Sequence, residues 1–472
     1  MPNPFLPLDE FIPDGEPHIF NGRVYIYGSH DTYDDRIFCT GNYVSYSADI
    51  NDLTNRKYEG VIYDKKKDPK TKSGRKNLFA PDIIQAKDGK YYLFYGIEFT
   101  GLMGVAKSDS PTGPFEFYGH VKHKNGKLIG REHGDYMPFD PAVILDNGKY
   151  YLFYGFYTPI PFLLTGFVQN KNLGGVICEL EDDLLTLKSE PKLLFPKDDP
   201  KCEGHPFFEA SSIRKFKDKY YFIYSSKVNH DLCYMISSKI DGPYEYKGVL
   251  IDIGDIGLFG IKEEKDANNY LGNTHGGMFN VGCDYYQIYH RHTNRHGYSR
   301  QACVERFEMN EDGTFNQHEI TSLGFEKVPF CRPGIYFSSI ACIIKSKDGV
   351  GRYDTFLAKQ KFKKHPAFVL NKDRKPYISG IRNRAQIGYR YFDFSALHKI
   401  KLSLKGKASG FINVYLNKEL FYKLPVDINN KEYNFTSEIL VNKKPDIDLS
   451  KTELVFEFDI KGILDFDKFY LE

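Results

Sequence analysis

The chain has 472 residues with 36 Tyr, 38 Phe and no Trp, and its 64 Lys and Arg against 62 Asp and Glu leave a formal net charge of +2. That length exceeds one ordinary core and predicts a large domain followed by a smaller one. The even charge balance excludes a field that would gather nucleic acid or an anionic membrane, so the expected partner is a neutral molecule. Eight Cys stand singly without a C-x-x-C pair, no 18-residue apolar run occurs, and the opening "MPNPFLPLDEFIPDGEP" has neither a basic start nor an apolar core. These features predict reduced thiols, no membrane span and a cytoplasmic location.

In chain order, one aromatic strand recurs: "GRVYIYGSHD" (22–31), "GKYYLFYG" (89–96), "GKYYLFYG" (148–155), "DKYYFIYSS" (218–226) and "CDYYQIYHRH" (283–292). Between its copies lie a basic run, "DKKKDPKTKSGRK" (64–76), read as a solvated insert because no aromatics interleave with it, and a second repeated phrase, "SPTGPFEFYG" (110–119) and "KIDGPYEYKG" (239–248). Each unit of roughly 60–70 residues has room for about four strands, the size of a propeller blade. The predicted fold is therefore all-β, with a five-bladed β-propeller over residues 1–325. "HRHTNRH" (290–296) has irregular spacing and no acid or Cys in phase, and reads as a polar loop after the fifth repeat rather than a zinc site. Beyond it the repeat stops, and "KIKLSLKG" (399–406), "GFINVYLN" (410–417), "TELVFEFD" (452–459) and "DFDKFYLE" alternate with period two. They predict a β-sandwich of jelly-roll type over 326–472.

Counting back about ten residues from each Tyr pair reaches Asp14, Asp82, Asp140, Glu209 and His275. The first strand of a blade lines the central channel, so these five groups are expected to share one mouth of the axis. Carboxyls crowded in a partly desolvated pocket cannot all ionise, and one stays protonated near neutral pH. That is the equipment of glycoside hydrolysis, in which an acid protonates the leaving oxygen and a carboxylate activates water. Glu209, beside Phe207 and Phe208, is the candidate acid, Asp14 the candidate base, and Asp140 the group that orients the acid and holds up its pKa. The residues by themselves leave this division of roles open.

The phrases "IPDGEPHIFNGRVYIYGSHD", "FAPDII", "FDPAVILDNGKYYLFYG", "FFEASSIRKFKDKYYFIYSS", "GNTHGGMFNVGCDYYQIYHRH" and "SRQACVE", taken together and in this order, resemble glycoside hydrolase family 43, the β-xylosidase and α-L-arabinofuranosidase family. The resemblance implies an inverting mechanism with Asp14 as base, Asp140 as pKa modulator and Glu209 as acid. It also implies that Phe79, Asp82, His275 and Arg300 contact the sugar. No cofactor is required, although many members hold a calcium ion at the axis through water on the residue matching His275. Phe79 stands where Trp is common in the family, and Gly15 where Pro is. The expected substrate is an arabinose- or xylose-containing oligosaccharide derived from hemicellulose. A retaining enzyme of the same blade number and a non-catalytic sugar-binding propeller are the alternatives. "RAQIGYRYFDF" and "LDFDKFYLE" are similar to carbohydrate-binding modules of family 6, which implies sugar binding or a buttress for the propeller.

Overall fold

The computed structural model describes residues 2–161, 163, 165, 167–353, 357–395, 397–441 and 448–472. Among these, the strands form six sheets, five small ones around an axis and one large one. The repeated aromatic phrase is the second strand of every small sheet: Arg23–Tyr27, Tyr91–Ile97, Lys149–Gly155, Lys219–Ser226 and Asp284–Thr293. Its side chains alternate across the sheet, and in a propeller both faces of a blade are covered by neighbours. Tyr91, Leu93 and Tyr95 accordingly pack with Tyr25 and Tyr27 of blade one, whereas Tyr92 and Phe94 of the same strand pack with Leu152 and Tyr154 of blade three. This is why the phrase is aromatic throughout rather than alternating with polar residues.

The same logic closes the ring. Phe153 meets Phe222 and Tyr224 between blades three and four, and Tyr221 meets Tyr285 and Tyr289 between four and five. Val24 and Ile26 of blade one meet Tyr286 and Ile288 of blade five. Four blades have four antiparallel strands each, but the fifth has three, Met278–Val281, Asp284–Thr293 and His296–Phe307. The N-terminal residues run along its outer edge instead. Phe5 N donates to Ala302 O, Asn3 Nδ2 donates to Val304 O at 2.8 Å and to Thr321 O at 3.1 Å, and Val304 N donates to Asn3 Oδ1 at 2.9 Å. Asn3→Ala would orphan these buried backbone groups and is expected to lower unfolding free energy by about 1–3 kcal/mol, measurable by urea denaturation.

"HRHTNRH" is not a polar loop. It ends one strand and begins the next, and His290, His292 and His296 are buried at 0%, 1% and 4% exposure. In the second unit, segments expected as separate short strands are continuous: Lys399–Leu416 and Thr452–Leu471 pair along their lengths. They bend at Gly406, Gly410 and Gly462, where φ lies between 131° and 139° and a Cβ at Gly462 would stand 2.1 Å from Lys407 O. The bends curl one nine-stranded sheet into two facing layers, so that Phe456 packs against Phe466 and Phe469 across the interior.

This core is continuous with blades four and five. Arg291 of blade five donates to Ser339 O and Ala341 O at 2.6 and 2.9 Å, and Arg390 joins Asp255 and Glu453 at 2.7 Å each. All eight Cys are free thiols. Among the described residues no helix is long and apolar enough to cross a membrane.

Candidate active site

The first strands of neighbouring blades adjoin around the axis, and the residues that enter them are kinked in a recurrent way. Asp14, Ala80, Asp140 and Ala210 all have positive φ, at 57°, 36°, 47° and 66°. The left-handed region is uncommon outside Gly, though Asp tolerates it better than most. Asp14, Asp140, Glu209, Asn273, His275 and Arg300, with Phe38, Phe79, Phe99, Phe139 and Phe156, line a cavity of about 330 Å³ at this end of the axis. The aromatic wall is contiguous: Phe79 meets Phe99 and Phe139 edge-on, and Phe139 stacks on Phe156 at 4.4 Å.

Asp82 does not reach this cavity. The kinked residue of blade two is Ala80, and Asp82 lies two residues further, about 6–7 Å down the strand. It is fully buried and accepts hydrogen bonds from His18 Nε2 at 2.6 Å, Val143 N at 2.7 Å and Ile83 N at 2.9 Å. At the same depth in blade one stands Glu16, bound by Arg214 and by Ser212 Oγ. Glu16, His18, Asp82, Ser212 and Arg214 thus form a floor that closes the channel beneath the cavity. Of the two Phe residues before Glu209, Phe207 packs into the layer between blades three and four, and only Phe208 turns toward Phe156, Tyr157 and His230.

Above the floor, each acid has a different neighbour. Arg300 grips Asp31 through two nitrogens at 2.8 and 3.0 Å and reaches Asp14 Oδ1 at 3.1 Å, while Phe38 lies under its guanidinium at 4.8 Å. Asp140 Oδ2 accepts from Ala210 N at 2.8 Å, which ties it to the backbone that carries Glu209, and faces His275 Nδ1 at 3.7 Å. Among the described residues no basic side chain lies within ion-pairing distance of Glu209.

The sequence profile of "Glycosyl hydrolases family 43" matches residues 2–315. The chain belongs to glycoside hydrolase family 43. A xylosidase/arabinosidase of Thermoclostridium stercorarium is 38% identical over 446 residues, 93% of each chain. One of Bacteroides ovatus is 31% identical over 287 residues, covering 52% of this chain and 80% of that one. The family 43 arabinoxylan arabinofuranohydrolase of Bacillus subtilis, solved in complex with cellotetraose, shares the fold over 99% of this chain and 97% of its own, with a TM-score of 0.52 at 20% identity.

In this family 43 enzyme, burial raises the Glu209 carboxyl well above the usual range, and the negative charges of Asp140 and Asp14 raise it further against the opposing pull of His275 and Arg300. Burial also lifts Asp140, to about 6, with His275 working against the rise. Burial works to lower His275, but the negative charges of Glu16, Asp140 and Asp14 around it push it up to about 9. The cavity therefore holds a Glu209 that keeps its proton to higher pH beside an Asp14 paired with Arg300. Unfolded, Glu209 would titrate at about 4.3. Because the folded form keeps its proton to higher pH, the associated stability is complete below that value and is lost as pH rises toward the folded pKa. Glu209→Gln, which cannot ionise, should melt with wild type at pH 4 and increasingly above it toward pH 8, a trend that thermal melts across pH would show.

A second cavity, of about 370 Å³, lies between the propeller and the second unit. Its polar groups satisfy one another, Arg390 with Glu453 and Gln386 with Glu457 at 2.9 Å, so it presents no free acid.

Proposed function

We propose that this glycoside hydrolase removes terminal pentoses, β-D-xylose or α-L-arabinofuranose, from hemicellulose-derived oligosaccharides by a single inverting displacement. The observation that carries the reading is a cavity in which Asp14, Asp140 and Glu209 converge in different surroundings. Asp14 is the base that takes a proton from water, and Glu209 the acid that gives one to the leaving oxygen. Asp140 holds the Glu209 backbone through Ala210 N and maintains the acid's proton affinity. Arg300 orients Asp14, and with Phe79 and His275 it faces the sugar. The pentose preference rests on the names of the two relatives above.

His275 Nε2 and Glu16 Oε1 lie 3.4 Å apart but out of line for a hydrogen bond, which leaves two buried atoms without a well-formed partner. A hydrated calcium ion there would need a neutral His275, with Nε2 accepting from a water that the ion binds. Without such an ion, the His275 imidazolium supplies the positive charge that faces Asp140. The second unit acts as a buttress, a role supported by its continuous core with blades four and five and by Arg291 and Arg390.

The test is a panel of 4-nitrophenyl glycosides. The β-D-xylopyranoside or the α-L-arabinofuranoside should be cleaved about 10–200-fold faster than the β-D-glucopyranoside, whose extra hydroxymethyl group the aromatic wall opposes. Equal rates on the glucoside, or no cleavage of either pentoside, would overturn the reading.

A further inference from the structure

The mechanism above leaves unused the two histidines of "HRHTNRH" that lie deepest in blade five. His290 and His292 stand two apart on the strand Asp284–Thr293, so their rings share one face. Both Nε2 atoms approach the same carbonyl, Asn273 O, at 2.7 and 2.8 Å. A carbonyl only accepts hydrogen bonds, so each Nε2 carries a proton. The remaining ring nitrogen of His290, Nδ1, faces the backbone N–H of Asp14 at 3.3 Å, and there it accepts. The proton on Nε2 and the lone pair on Nδ1 are thus fixed by partners on opposite sides of the ring. This use of both nitrogens also leaves His290 no lone pair for a metal.

What His290 holds is a residue in an unfavourable conformation. Asp14 has φ 57°, and a non-Gly residue persists there only where its surroundings determine it. The same Nδ1 lies 3.5 Å from Asp14 Oδ1, whose other close neighbour is Arg300 Nη1 at 3.1 Å. Asn273, whose carbonyl accepts from both imidazoles, lines the cavity beside His275.

We propose that His290 is a positioning residue for Asp14, its Nδ1 anchoring the Asp14 amide so that the carboxylate is aimed into the cavity, with Asn273 O setting the ring's tautomer. The proposal rests on the reading of Asp14 as the base.

The test compares His290→Asn, whose side-chain oxygen falls near the place of Nδ1, with His290→Gln, whose amide falls near the place of Nε2. Steady-state kinetics on whichever 4-nitrophenyl pentoside is cleaved, thermal melts, and a double-mutant cycle with Asp14→Ala supply the readouts. His290→Asn should keep kcat within about fivefold, and His290→Gln should lose about 10²-fold in kcat with KM within about twofold, as expected for a misplaced base. Adding His290→Gln to Asp14→Ala should cost nothing further, because the two act through one group. Losses that multiply in the double variant, or a Gln variant as active as the Asn variant, would overturn the proposal. Should His290→Gln fail to fold, a folded His290→Asn with kcat down about 10²-fold would overturn it equally. Wild-type rates in Asp14→Ala alone would instead remove the base assignment, whatever His290 does.

Discussion

Asp14→Ala is expected to lower kcat by about 10²–10⁴-fold on every glycoside, whatever the leaving group, with a much smaller change in KM. The loss is general because activating water is required however readily the aglycone departs. Arg300 holds one Asp14 oxygen at 3.1 Å, whereas Asp140 is tied to Ala210 N and Glu209 keeps its proton, so neither of the other cavity acids is set to replace it. Azide, which attacks without a base, should restore part of the rate and yield the inverted glycosyl azide. Steady-state kinetics on good and poor leaving groups, with and without azide, check this. A loss confined to poor leaving groups would make Asp14 the acid instead.

Glu209→Ala should show the complementary pattern. Oligosaccharides, whose leaving oxygen is a strong base, should lose about 10²–10⁴-fold, and 2,4-dinitrophenyl glycosides less than about tenfold. The pH profile adds a second mark. Burial and the neighbouring Asp140 raise the Glu209 pKa, so wild-type activity should fall as pH rises through it. That alkaline limb should vanish in Glu209→Ala when the leaving group needs no proton. Equal losses on both substrate types would show that Glu209 serves the fold or the sugar rather than the leaving group.

The blade repeat was legible because each aromatic strand is buried on both faces, which suppresses the usual polar alternation. Asp14, Asp140, Glu209, His275, Arg300 and Phe79 do converge on one cavity. Asp82 does not, because counting back from the Tyr pair has an uncertainty of one or two residues, and two residues keep the face while changing the depth. A bulge between Phe79 and Asp82 hides that shift from any fixed spacing. Glu16 and Asp31 went unread for the opposite reason. Glu16 follows a more conspicuous acid, and Asp31 ends the first-blade phrase "GSHD", at a place where the other blades have Phe99, Thr158, Val228 and Thr293 and no acid. Its partner Arg300 lies 269 positions away, a pairing no local pattern carries. The histidines of blade five read as a loop by polarity alone, since the carbonyl that permits the burial of His290 and His292 belongs to Asn273, on another segment. The long bent strands of the second unit were divided at Gly406, Gly410 and Gly462 because Gly usually marks a turn, whereas here it lets two strands cross closely.

The central claim is that Asp14 and Glu209 act together in one displacement on a sugar held at the closed end of the propeller axis. The most direct measurement is a proton NMR time course of the purified enzyme on an aryl β-D-xyloside, following which anomer of xylose appears first. The account predicts α-xylose, with the β anomer growing in later by mutarotation. Initial β-xylose would mean that a carboxylate had attacked the sugar itself, and would contradict the roles assigned to Asp14, Asp140 and Glu209.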